Sequence, residues 1–234
     1  MCSSDLVIKA RAIIDLDTTQ YFLVTFDQNG THLDVATRTC DIALPSVPDV
    51  AEVVIPDKLR DVFRRDVVMT AGDFVSGTDG GAKYTPPAEV VVLGADLANP
   101  ATDPLPTEAD QTNAVDQDED GHPGVTVEAD VAAVCQGWQK LYVALRTTVT
   151  LDGTVLSSNE IVGDMEATLE QEILGMSDPC LSASDGIEVE VLPGSVFRAR
   201  RIDGANDSTD LDANSDGAID CEELTAGVET VFGD

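Results

Sequence analysis

Twelve residues near the C-terminus, Asp212 to Glu223, place oxygen donors at the spacing a calcium ion needs. The run reads Asp-Ala-Asn-Ser-Asp-Gly-Ala-Ile-Asp-Cys-Glu-Glu. Calcium gathers about six to eight oxygens around one point. Asp212, Asn214 and Asp216 offer side-chain oxygens at alternate positions, and Ala218 offers its backbone carbonyl. Asp220 would act through a water, and Glu223 would close the set as a bidentate carboxylate. Gly217 holds the sixth place, where such a loop bends sharply, and Ile219 the eighth, where an apolar side chain turns inward.

A second acidic loop begins in the same way. Asp116, Asp118 and Asp120 hold the first three ligand places, Gly121 the sixth, and the His122 carbonyl is the fourth candidate ligand. Its twelfth residue is Val127, so the bidentate carboxylate is missing, and Pro123-Gly124 leads into an alternating segment. Glu128, Glu119 or Asp110 is expected to supply the missing acid. The competing reading of both loops is a solvated acidic segment that holds no metal.

The C-terminal loop resembles the EF-hand, over Asp210 to Thr230 only. The outgoing helix is legible from Glu222 through Val231, whereas Arg201 to Asp207 reads as a strand followed by a turn. EF-hands normally pair, so the resemblance implies weak, extracellular-type binding, on the order of 10⁻⁴ to 10⁻³ M. The mid-chain loop is similar to the DxDxDG loops that hold calcium in extracellular β-proteins. The run from Asp103-Pro-Leu-Pro-Thr to Asp120-Gly-His-Pro-Gly-Val-Thr-Val, with Leu141 to Gly153, resembles a group of secreted or lipid-anchored proteins of environmental bacteria. That resemblance implies export and a β-barrel, and it implies no activity.

Catalytic chemistry finds little to use. The two histidines are His32 and His122, and there is no GxSxG elbow for a nucleophilic serine. Gly77-Thr-Asp-Gly80-Gly81 lacks the lysine of a phosphate loop and reads as a flexible hairpin. Trp138 is better placed as a core or rim aromatic than as a sugar platform. The chain is therefore expected not to be an enzyme.

The elements that must carry these loops are strands. From Leu141 to Leu151 apolar residues alternate with Tyr142, Ala144, Arg146, Thr148 and Thr150, the period of a half-buried strand. Val125 to Ala133 and Ile8 to Leu16 alternate likewise. Asn29-Gly30 between Tyr21–Phe26 and Leu33–Leu44 predicts a type I′ hairpin, and Asp152-Gly153 predicts another, leading to a strand from Thr154. A further strand is expected over Ser195 to Ile202. Ala51 to Arg65 reads as a short helix or a connection, with a helix start at Ile55-Pro56-Asp57, and Asn99 to Gly124, rich in proline and acids, predicts a long surface loop. The expected fold is all-β, an antiparallel up-and-down β-barrel whose order of elements resembles lipocalins, with a β-sandwich as the alternative. The barrel would occupy residues 7–203 and the EF-hand-like segment, with its short helix, residues 204–234.

Charge and cysteines bound the setting. A net charge of −31 over 234 residues, from 44 acids against 13 lysines and arginines, argues against nucleic acid and anionic membrane as partners. The scattered acids, with lysine only at Lys9, Lys58, Lys83 and Lys140, read as a solvated surface suited to saline water. Met1 to Leu6 match the translated end of a common sequencing adapter and are expected to be non-native, with the native N-terminus and its export signal missing. Setting Cys2 aside, Cys40, Cys135, Cys180 and Cys221 form no CxxC pair, which fits disulfides in an oxidising compartment. Three pairings are possible and the sequence does not choose among them; buried free thiols are the alternative. No apolar run approaches the roughly 20 residues that span a bilayer. The reading is an exported protein that binds structural calcium ions. A carrier of a small apolar ligand and a surface scaffold or adhesion module are the alternatives.

Overall fold

A computed structural model describes residues 18–44, 52–77, 79–130, 137–180 and 194–233. Met1–Leu6, the expected strand Ile8–Leu16, residues 131–133 of the second one, Cys135 and Thr78 lie outside the described residues. Among the described residues ten strands form one antiparallel sheet curled into a half-barrel, so the expected all-β architecture is found as one curled sheet, not as two stacked ones. The strands are β1 (Thr19–Asn29), β2 (His32–Ala43), β3 (Glu52–Val54), β4 (Val68–Val75), β5 (Lys83–Tyr84), β6 (Glu89–Leu93), β7 (Val125–Asp130), β8 (Trp138–Ser157), β9 (Glu160–Met176) and β10 (Ser195–Arg200). Helix α1 spans Asp57–Arg65 after β3, and α2 spans Cys221–Phe232.

β8 is the spine. Along one edge it pairs β9 for nearly its whole length. Along the other edge β7, β6 and β5 lie end to end, opposite Trp138–Val143, Leu145–Val149 and Gly153–Thr154. β2 and β4 extend the sheet to β1, and β10 flanks β9. The curl shows in packing: Leu33, Val35 and Tyr84 meet Val24 from one end of the sheet and Ile161 and Phe197 from the other. A second cluster joins Leu141, Val143, Leu93 and Val125 to Leu59 and Val62, the buried stripe of α1.

Glycine marks both a turn and a crowded strand here, and the two cannot be told apart by type alone. The first hairpin is present, but its turn is Gly30-Thr31, closed by Asn29 opposite His32. Gly30 has φ +66 and Thr31 has none of the left-handed character a type I′ turn demands, so the turn is of the II′ kind. Asp152-Gly153, expected as a turn, lies inside β8, and the chain reverses at Ser158-Asn159. The reason is steric. Gly153 pairs with Gly163, and a methyl group on Gly153 would lie 2.8 Å from Phe197 Cζ and 3.1 Å from Ile161 Cγ2.

The tail is fixed by a disulfide between Cys40 of β2 and Cys221 of α2, 181 residues apart in sequence. Around it Leu224 and Cys221 pack with Leu23, Ile202 and Leu211. Cys180 is disulfide-bonded as well. No described helix is long and apolar enough to cross a membrane.

A methyl group on Gly163 would fall 2.0 Å from the Asp152 carbonyl oxygen and 2.6 Å from the Gly153 Cα, both backbone atoms of the paired strand. Gly163→Ala is expected to cost about 3 kcal/mol, the upper range for overpacking a rigid site. Urea unfolding measures it, and an unchanged midpoint would contradict the crowding.

Candidate metal centre

The mid-chain loop belongs to an excursion that leaves the sheet after β6 and returns at β7. Leu93 is opposite Leu145 and Val125 is opposite Val143, so residues 94–124 depart and re-enter at neighbouring places on β8. At this base Val115 N–H donates to the Gly94 carbonyl and Gly124 N–H to the Val115 carbonyl. The expected surface loop has a small core of its own: Leu105 packs on Ala144 and Leu174, with Val92, Leu97 and Ala114 around them. Buried Arg146 of β8 holds the excursion from beneath. Its Nη1 donates to the carbonyls of Asp103 at 2.6 Å and Pro100 at 3.2 Å, and its Nε and Nη2 pair with the Glu170 carboxylate.

Within the loop, one oxygen from each of Asp116, Asp118 and Asp120 lies within 4.8 Å of the others. Asp116 accepts from Asp120 N–H at 3.0 Å and Gly121 N–H at 2.9 Å, and Asp120 accepts from His122 N–H at 2.9 Å. The Thr126 hydroxyl donates to the other Asp120 oxygen at 2.7 Å. Asp118 differs from its neighbours because it is only 4% exposed. Its Oδ2 accepts from Thr126 N–H at 2.8 Å, while Oδ1 is buried with no hydrogen-bond partner. A buried carboxylate oxygen left unpaired is costly, and a bound cation would satisfy it. Burial pushes the Asp118 pKa up against the pull of the Thr126 hydrogen bond, and the charges of Asp120 and Asp116 push it further. The donors are oxygens only, the set that suits hard cations such as Ca²⁺ or Mg²⁺.

None of the three acids expected to complete the set joins the cluster. Glu128 reaches across the ladder to Lys140 at 3.6 Å, and the Glu119 backbone turns through φ +56 with its carbonyl accepting from Lys58 of α1. His122 lies at the rim, its ring stacked on Tyr142 with centroids 4.0 Å apart.

The C-terminal loop repeats the three backbone-to-aspartate bonds at the first and fifth places. Asp212 accepts from Asp216 N–H at 3.1 Å and Gly217 N–H at 2.9 Å, and Asp216 accepts from Ala218 N–H at 2.9 Å. Ser215 (φ +60) and Gly217 (φ +87) match Glu119 (φ +56) and Gly121 (φ +96). Asn214 accepts from Asp216 N–H at 2.8 Å. Glu223 folds back across the loop, accepting from Asn214 N–H and Asp220 N–H, both at 3.2 Å. Asp220 caps α2 in a reciprocal box with Glu223. The outgoing helix is thus present, whereas the incoming side is a short 3₁₀ turn at Ala205–Asp207. Among the described residues, three carboxylates converge within 4.8 Å only at Asp116, Asp118 and Asp120. The sequence made the C-terminal loop the more complete match, and the structure gathers its carboxylates more tightly at the other.

Among the hollows of the described surface, one of about 430 Å³ lies beside His122 and Tyr142 and one of about 380 Å³ between β2 and β3. Both open to solvent.

Because the folded-state pKa of Asp118 is raised, the stability linked to it is full below the ordinary aspartate value of 3.8 and is lost as pH rises through the raised one. In EDTA at pH 7, Asp118→Asn is therefore expected to melt above the parent protein. The gap should close as the pH falls below the carboxylate range, and with Ca²⁺ the order should reverse. Thermal melts across pH read all three. No family model, no curated protein and no solved structure matches this chain.

Proposed function

We propose that this protein binds calcium as a structural ion, at Asp116, Asp118, Asp120 and the His122 carbonyl, and at Asp212, Asn214, Asp216, Ala218, Asp220 and Glu223. The observation that carries the reading is the buried, unpartnered oxygen of Asp118 beside two further carboxylates. The twelve-residue spacing of the C-terminal loop and the backbone it shares with the mid-chain loop support it independently.

In this reading the ion neutralises carboxylates that otherwise repel, and it stabilises the fold instead of signalling. A chain of net charge −31 gains from each such neutralisation. The Cys40–Cys221 disulfide supports an exported, oxidising setting.

Thermal melts in EDTA, then in millimolar Ca²⁺, with Mg²⁺ and NaCl at matched ionic strength, test the proposal. Specific sites are expected to give a rise with Ca²⁺ beyond that of the other salts, about 1.4 kcal/mol per site at tenfold excess over Kd. Asp212→Asn with Glu223→Gln should lower the calorimetric stoichiometry by one. An equal rise with all three salts would leave only screening of surface acids and would sink the calcium reading.

A further inference from the structure

The geometry points to Gln117 as the positioning residue of the mid-chain cation site, an inference that rests on the metal reading above. Gln117 sits in sequence between two of the candidate ligands, Asp116 and Asp118, and it lies outside the ligand pattern. Every polar group it owns is engaged. Its Oε1 accepts from Gly94 N–H at 2.7 Å, and its Nε2 donates to Asp66 Oδ2 at 2.7 Å, just past the end of α1. Its backbone N–H donates to the Gly124 carbonyl at 3.3 Å, and its own carbonyl accepts from Arg65 of α1 at 3.3 Å.

Those four bonds run to three separate parts of the fold: the end of β6, the end of α1 and the base of β7. They fix the two peptide planes flanking Gln117, and those planes set the directions in which Asp116 and Asp118 leave the backbone. A ligand cluster only 4.8 Å across tolerates little rotation there. The amide is the side chain suited to the place, since it must accept from an N–H on one side and donate to a carboxylate on the other. A glutamate would keep the first bond and set two carboxylates against each other at the second. Residues that orient metal ligands commonly change affinity by about 10- to 100-fold when removed.

The test uses the full chain carrying Asp212→Asn and Glu223→Gln, so that a Ca²⁺ titration by calorimetry reads the mid-chain loop. Gln117→Ala is expected to weaken Ca²⁺ by about tenfold or more. Gln117→Glu should also weaken it, although the added negative charge alone would tighten cation binding. Combining Gln117→Glu with Asp66→Asn reverses the donor and acceptor of the bridge at unchanged net charge, and affinity is expected to return to within about threefold of the parent, well inside the loss seen when such a residue is removed. Melting in EDTA, read in parallel, separates positioning from plain stability. Unchanged affinity in Gln117→Ala with a lower metal-free melting temperature would overturn the inference. So would tighter binding in Gln117→Glu, or a double variant no better than Gln117→Glu alone. If Gln117→Ala fails to fold, the two glutamate variants still decide, because they keep the bond to Gly94. A parent chain that takes no Ca²⁺ at this loop would overturn the metal reading, and this inference with it, whereas the other outcomes strike the inference alone.

Discussion

Three chain segments cross beside the cluster of three aspartates with no room for a side chain between them. A methyl group on Gly94 would lie 2.5 Å from the Val143 carbonyl oxygen and 2.8 Å from the Gly124 Cα, and one on Gly124 would lie 2.8 Å from the same oxygen. Gly94 (φ +71) and Gly124 (φ +103) also take backbone angles that other residues adopt at a cost. This contact lets a long excursion begin and end at adjacent places on β8 without breaking the ladder. It also sets the Asp116–Gly124 turn against α1, where Lys58 and Arg65 meet its carbonyls. The cluster of three aspartates is a consequence of that placement as much as of its own spacing.

The two acidic loops show how one local sequence rule gives two different sites. In both, the first aspartate accepts from the N–H groups of the fifth and sixth residues, and a left-handed residue at the fourth place makes the bend. Beyond the glycine they diverge. The mid-chain loop enters β7, so its Thr126 binds two of the aspartates and buries Asp118. The C-terminal loop enters α2, and Glu223 returns as a lid over a more open turn. Tertiary context thus gives the first loop burial, while the second draws a further carboxylate from its own twelve residues.

Local patterns in the sequence carried the spine and the loops. The alternation of Leu141–Leu151 is the middle of β8, the helix start at Pro56-Asp57 opens α1, and the outgoing helix of the C-terminal loop is α2. What stayed hidden depends on partners distant in sequence. Val68–Val75 and Glu89–Leu93 are β4 and β6 because neighbouring strands supply their pairing, and Asp152-Gly153 looks like a turn because the crowding of Gly153 by Phe197 has no local signal. Gln117 was missed for the same reason, since Gly94 and Asp66 lie 23 and 51 residues away. The cysteine pairing was open until folding brought residues 40 and 221 together.

Helix α1 touches the surroundings of both loops at consecutive residues. Arg65 donates to the Gln117 carbonyl, and Arg64 donates to the carbonyl of Cys40, whose sulfur is bonded to Cys221 inside the C-terminal loop. The tail is therefore bonded to a strand that α1 also touches, so a displacement of β2 reaches the surroundings of both loops. Free energies measured at one loop will not simply add to those measured at the other, because both are read through the same helical turn.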